Sequence, residues 1–217
     1  MSYRLFYHPF SSYSWKAMIA LYEKALPFEP LMVEEAGVMD ALRDHWPLGK
    51  FPVLLDEGKP VIEATTIIEY LDLRHYERAP MLPANATDAL AVRFMDRVFD
   101  NHVMTPMQGI VGEYLIDAAA PDRARIARHE AALDAIYGWL ETRLAVHDWA
   151  CASGFSMADC AAAPALFYAD WVRPIPDAFP VLRAYRARLN ARGSVARCIE
   201  AARPYRHYFP PGAPDRD

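Results

Sequence analysis

Cysteine is scarce: the 217 residues hold three, Cys151, Cys160 and Cys198. An odd count without Cys-x-x-Cys spacing argues against a disulfide framework or a dithiol redox pair, and reads as reduced thiols in a cytoplasmic protein. The seven histidines form no cluster at ligand spacing, so no metal centre is expected. No apolar run approaches ~20 residues, which argues against a membrane-spanning helix. Positive charge is also short. Lys and Arg number 23 against 28 Asp and Glu, for a net charge of −5 with no basic block. Nucleic acid is therefore a poor partner. The opening MSYRLFYH lacks the basic, apolar and small-residue succession of a secretion signal. Against these absences stands a hydrophobic content of 53%. That is enough for a packed core in one large domain or two small ones.

The first third mixes periods. RLFYH (4–8) reads as a strand, and residues 14–25 as a helix with Met18, Leu21, Tyr22 and Ala25 at helical spacing. FEPLMV (28–33) reads as a second strand and residues 36–45 as a short helix. PVLLD and KPVIE flank Glu57-Gly58, a hairpin signal, and TTIIEYLDLRH (65–75) reads as a helix. Strand, helix, strand, helix, hairpin, helix is the order of a thioredoxin-like sheet layered between helices, since strand–helix–strand wants a parallel crossover. APMLPANAT (79–87) has two prolines and no period, so it reads as a linker. Beyond Asp88 only helices are expected: 88–116, kinked at Pro106; about 121–147; one opening at FSMAD; and one after FPVLRAYRARL. The tail RPYRHYFPPGAPDRD reads as surface chain. The predicted division is an α/β domain over 1–78, a linker over 79–87 and an all-α domain over 88–217.

Four junctions carry more chemistry than a fold requires. In FSSYSWK, Ser11, Ser12 and Ser14 precede an apolar helix, though an N-cap needs only one such residue. Either they are cap and turn residues, or a hydroxyl and the helix N-terminus together stabilise an anion such as a thiolate. In GKFPVLLD, Phe51-Pro52 stands before a strand, where proline is tolerable on structural grounds alone. A cis bond there would turn the Phe51 backbone outward to pair with a peptide ligand. In VIEATTIIEYL, Glu63-Ala64 sits at a strand-to-helix junction. Thr65 or Thr66 can cap that helix, or its free N–H groups can hold a carboxylate. In GFSMADCAAAP, Ser156-x-x-Asp159 forms a capping box with aspartate in the place of the usual Glu or Gln, a structural device.

Together FYHPFSSYSWKAMIAL, WPLGKFPVLLD, VIEATTIIEYLD and FSMADCAAAPALFYAD, in this order over essentially the whole chain, resemble the glutathione S-transferase superfamily. The likeness is to its serine-type, zeta- and theta-like cytosolic members. The resemblance implies a thioredoxin-like domain binding glutathione as co-substrate, a helical domain forming much of the electrophile pocket, and a homodimer. It places Ser11, with Ser12 as rival, opposite the glutathione sulfur, at the SSCxWR motif of zeta-like members. Tyr13 stands where those have cysteine, so thiol-redox chemistry on the protein is not expected. The resemblance also assigns Lys50, Phe51, Pro52, Glu63 and Ala64 to glutathione, with Lys50 facing the glycyl carboxylate or solvent and Glu63 the γ-glutamyl amine.

Two departures matter. The family usually reads Glu-Ser where this chain reads Glu63-Ala64, and the missing hydroxyl is one that grips the γ-glutamyl carboxylate. Its loss is expected to weaken glutathione by about tenfold to a hundredfold, with Thr65 a candidate to lean in. The substrate-carboxylate arginine of the zeta-like isomerases falls near Trp171, which disfavours maleylacetoacetate isomerisation. Candidates for the electrophile pocket are Phe10, Tyr13, Asn101, Met104, Thr105, Tyr168 and Trp171, with Tyr205, Tyr208 and Phe209 as a cover; the alternative for each is interior packing. Asn101 stands out because an amide on an apolar helix needs a partner. Three functions follow: transfer of glutathione to a small hydrophobic electrophile, another glutathione-dependent reaction such as isomerisation or peroxide reduction, or a non-catalytic binding module.

Overall fold

Alternation in the first and third strands explains why this chain builds a sheet covered on both faces. In the computed structural model, which describes residues 3–217, strand β1 (Tyr3–Tyr7) pairs in parallel with β2 (Phe28–Met32) and antiparallel with β3 (Val53–Asp56). Strand β4 (Lys59–Ile62) closes the order β2-β1-β3-β4. Side chains alternate across a strand. Tyr3, Leu5 and Leu54 thus enter the core shared with helices α1 (Ser12–Glu23) and α3 (Ala64–Arg74), while Phe6, Val53 and Leu55 meet Leu42 of α2 (Val38–His45) on the opposite face. The β3–β4 turn uses Glu57 and Gly58, both at positive φ (49° and 84°), where glycine relieves the Cβ clash of one position. The Phe51–Pro52 bond is cis.

Helix α3 hands over to the helical region through Asp72. Its carboxylate accepts from the N–H groups of Met81 and Leu82 and pairs with Lys24 Nζ at 2.5 Å. Lys24 also donates to the carbonyls of His75, Arg78 and Ala79, so a buried cation organises the connection. Helix α4 (Ala86–Val98) starts two residues before the expected Asp88, because Asn85 Oδ1 caps the N–H groups of Thr87 and Asp88.

The expected single kinked helix is three segments: α4, a π-helical turn at Phe99–Met104, and α5 (Thr105–Ile116) with Pro106 in its first turn. Proline has no N–H to continue the ladder, and the wider turn absorbs that loss. Helix α6 (Arg123–Arg143) ends in a 3₁₀ turn at Leu144–Val146, and α7 (Met157–Val172) opens on the capping box. Asp159 accepts from Ser156 N, Ala150 N and Tyr185 Oη, and so ties three segments together. The alanine run of α7 packs it against α1 and α4, and Trp15 of α1 lies on Phe167 and Tyr168. Where the sequence reading expected one last helix, after FPVLRAYRARL, the structure has two, α8 (Pro180–Ala191) and α9 (Gly193–Ala202). The tail then forms a 3₁₀ turn at Arg203–Tyr208 and buries Phe209, so it does not merely cross the surface. No described helix is long and apolar enough to cross a membrane.

Candidate functional site

Two cavities meet at the N-terminal ends of α1 and α3. The first, of about 440 Å³, is polar and lined by Tyr13, Trp46, Lys50, Phe51, Pro52, Ile62, Glu63, Ala64, Thr65, Thr66, Arg97, Asp100 and Asn101. The second, of about 330 Å³, is mainly apolar. His8, Ser11, Ser12 and Tyr13 line it beside Phe10, Phe51, Met107, Val111, Leu115, Tyr168 and Phe209. Tyr13 and Phe51 belong to both, so the two cavities adjoin at these side chains.

Ser11 is the N-cap of α1. Its Oγ accepts from Ser14 N–H at 3.3 Å, which leaves its own O–H free to donate. Ser12, the first residue of α1, opens on the same cavity. Ser14 is buried and turned away, its Oγ accepting from His8 N–H. Burial, and behind it the charge of Asp100, pushes the Tyr13 phenol above its ordinary pKa. Tyr168 Oη donates to the Phe10 carbonyl at 2.9 Å, pinning the loop that carries the serines.

At α3, Glu63 occupies φ +72°, a backbone region costly for any residue with a Cβ, and such strain clusters at ligand sites. Among the described residues no side chain caps this helix. The expectation that Thr65 or Thr66 would do so is not met. Thr65 Oγ1 instead accepts from Lys16 Nζ and Arg97 Nη2, both at 2.7 Å, and donates to Asp96. It is therefore not available to replace the hydroxyl missing at Ala64. With no side-chain cap among the described residues, the first N–H groups of α3 are left for a ligand beside the polar cavity, an arrangement suited to an anion.

Of the expected glutathione residues, Lys50, Phe51, Pro52, Glu63 and Ala64 all line the polar cavity. Of the expected pocket residues, Phe10, Tyr13 and Tyr168 line the apolar one. Four fall elsewhere. Asn101 faces the polar cavity. Met104 is 1% exposed in the core. Thr105 spends its hydroxyl on the Asp100 carbonyl. Trp171 is packed among Phe10, Phe167, Tyr168 and Phe209. The π turn explains the shift. It offsets the phase that a 3.6-residue period carries through 101–105, so Met107, Gln108, Val111 and Leu115 present the pocket face instead. From the tail, Tyr208 and Phe209 reach the apolar cavity, whereas Tyr205 packs edge-on against His8. Among the described residues no group of His, Cys, Asp and Glu is placed to hold a metal ion. The thiols of Cys151, Cys160 and Cys198 are all pushed up by burial, that of Cys151 to about 11.

Comparison with known proteins follows the same outline. The glutathione S-transferase N-terminal domain matches residues 5–79, and the corresponding C-terminal domain residues 123–188. FtsZ-localized protein A of Caulobacter vibrioides is 28% identical over 198 residues, 87% of this chain and 86% of that protein. Glutathione S-transferase U11 of Arabidopsis thaliana is 30% identical over 113 residues, half of this chain and 48% of the plant protein. Among solved structures, a glutathione S-transferase of Methylobacterium radiotolerans in complex with glutathione sulfonate superposes with a TM-score of 0.77 at 28% identity, covering 100% of this chain and 98% of the other.

Proposed function

Since the chain belongs to the glutathione S-transferase superfamily, we propose that it transfers glutathione to a small hydrophobic electrophile. One observation carries this reading: a polar, peptide-sized cavity and an apolar cavity share Tyr13 and Phe51, and Ser11 and Ser12 line the apolar one beside them. The tripeptide lies in the polar cavity, its γ-glutamyl end at the N-terminus of α3 and its cysteinyl backbone along Phe51. Its sulfur rests between the Ser11 O–H and the positive end of α1. Both favour the thiolate. A depression of ~2 pKa units corresponds to about 2.7 kcal/mol. The thiol proton leaves to solvent. The thiolate's electron pair then forms the carbon–sulfur bond to an electrophile held against Phe10, Met107 and Val111, and the leaving group departs with its own pair. The homodimer expected of the family completes this reading.

The test is glutathione binding by calorimetry, with ultraviolet titration of the bound thiol. Millimolar binding or better, with a thiolate band growing in below the free thiol's pKa, supports transfer. A folded protein that binds no glutathione at millimolar concentration overturns it. That outcome favours a second reading, a binding module of the same fold. The specific observations behind the second reading are Ala64, which removes a hydroxyl from the γ-glutamyl site, and a near full-length relative whose name records where it localises, not a reaction.

A further inference from the structure

A separate crevice, of about 780 Å³, opens between α1, the edge strand β2 and α9. It shares no lining residue with either cavity of the proposed site. Tyr7, Tyr22, Leu26, Phe28 and Pro30 wall it, and Arg197 of α9 completes it. Arginines nearby in the chain are committed elsewhere. Arg183, Arg186, Arg188, Arg192, Arg203 and Arg206 each pair with a carboxylate. Arg197 makes no ion pair or hydrogen bond among the described residues. It is exposed, and its guanidinium lies over the Tyr22 ring, 4.0 Å from the centroid. An aromatic face attracts a cation without neutralising it, so the charge is held in place and still lacks an anion. Tyr7 and Tyr22 are partly buried, and neither hydroxyl has a hydrogen-bond partner among the described residues. Burial pushes both phenols above their ordinary value, Tyr22 to about 12, so both stay protonated donors at neutral pH. Arg197 and Tyr7 both act on the charge of the Tyr22 phenol, which places the three groups together. One cation and two donors beside Leu26, Phe28 and Pro30 complement an anion carried on an apolar body. A peptide strand fits less well. Pro30, in the middle of edge strand β2, interrupts the outer N–H row that an added strand would use.

We infer that this crevice binds a small organic carboxylate with an aromatic or alkyl body. Arg197 takes the carboxylate, the Tyr7 and Tyr22 hydroxyls donate to it, and the body lies against Leu26, Phe28 and Pro30. The site does not depend on the proposed function.

The experiment is calorimetry with 4-phenylbutanoate, its neutral amide and acetate, repeated with S-hexylglutathione present to fill the two cavities of the proposed site. Wild type should bind 4-phenylbutanoate with a Kd of about 1 mM or tighter. The amide should bind about tenfold more weakly, as expected for one lost hydrogen bond to a charge, and acetate should not bind. S-hexylglutathione should leave these values in place. Arg197→Gln should abolish the preference for the carboxylate and leave the affinity for the amide unchanged. Tyr22→Phe should reduce that preference by less. Arg197→Lys, which keeps the charge but not the planar fork, falls between, and it decides the matter should the Gln variant not fold. An unchanged preference in folded Arg197→Gln, or in Arg197→Lys if that alone folds, overturns the assignment. So does a wild type that binds no 4-phenylbutanoate, or one from which S-hexylglutathione displaces it. A blocked acidic-aromatic dipeptide that binds far more tightly than 4-phenylbutanoate overturns it in favour of a protein segment.

Discussion

Lys16 Nζ and Asp96 Oδ1 stand 2.5 Å apart, with both side chains 1% exposed. The pair joins α1, which presents the serines, to α4, and through Thr65 it also reaches the start of α3. Taking two charges out of water is costly, so such a pair is tolerated only when fully bonded. Removing one partner leaves the other uncompensated, at about 3–5 kcal/mol. Lys16→Met should lower the unfolding free energy by that order in urea titration. The Lys16→Met/Asp96→Asn double variant should lose less than the sum of the single changes, because neither charge is then stranded. Additive losses would mean that the pair does not act as a unit.

Asp159 should prove more than a cap. A lost N-cap usually costs ~1 kcal/mol. This carboxylate, fully buried, also accepts from Ala150 N–H at 2.9 Å and Tyr185 Oη at 2.7 Å. Asp159→Ala strands those donors as well, each at about 1–3 kcal/mol. The expected loss in chemical denaturation is thus several-fold that of Asn85→Ala, whose cap is exposed. Equal losses at the two positions would contradict the bridging role.

Much of this architecture was legible because local signals agreed. The alternation in β1, the Glu57-Gly58 turn and the Ser156–Asp159 box each fix geometry within a few residues. The polar cavity was legible for a related reason. Lys50, Phe51, Glu63 and Ala64 flank β3 and β4, and strand register brings them to one end of the sheet. The apolar cavity depends on how helices pack, which no period encodes. Pro106 signals an interruption but not the π turn, so Met104 and Thr105 were expected where Met107 and Val111 stand. The division of the last helical stretch into α8 and α9 was not legible because only Arg192 separates them, although Val195, Cys198, Ile199 and Ala202 give α9 its own buried stripe. The sequence reading gave Arg97 and Asp100 no role, because nothing in their spacing shows that Lys16 lies buried between Asp96 and Asp100.

Stability should fall as pH drops through the range of His8. Phe10 N–H donates to Nδ1 at 3.1 Å, so the proton sits on Nε2, 3.2 Å from Glu34 Oε1. Burial holds the His8 pKa below its ordinary value, outweighing Glu34. The unfolded chain therefore takes up this proton first as pH falls. The contribution is fully present above the unfolded value of about 6.5 and is lost as pH falls through the folded one. Urea midpoints measured between about pH 5 and 7.5 should show a steeper decline for wild type than for His8→Gln. Parallel profiles would remove His8 from the account.

Ser11 and Ser12 line the same cavity, and chemistry can separate them. Ser11 Oγ accepts from Ser14 N–H, which orients the hydroxyl at the helix end and leaves its hydrogen to donate. Ser11→Ala should cost ~1 kcal/mol of stability as a lost cap. Losing a hydrogen bond to a charged sulfur should also reduce kcat/KM by about tenfold to a hundredfold. The pKa of the bound thiol should rise, moving the acidic limb of the kcat/KM profile to higher pH, while glutathione affinity changes little. Ser11→Thr keeps both cap and hydroxyl and should recover most of the rate. Ser12→Ala should leave the limb in place. If instead the limb moves only in Ser12→Ala, the activating hydroxyl is one residue further along. If it moves in neither, the N-terminus of α1 stabilises the thiolate without a serine.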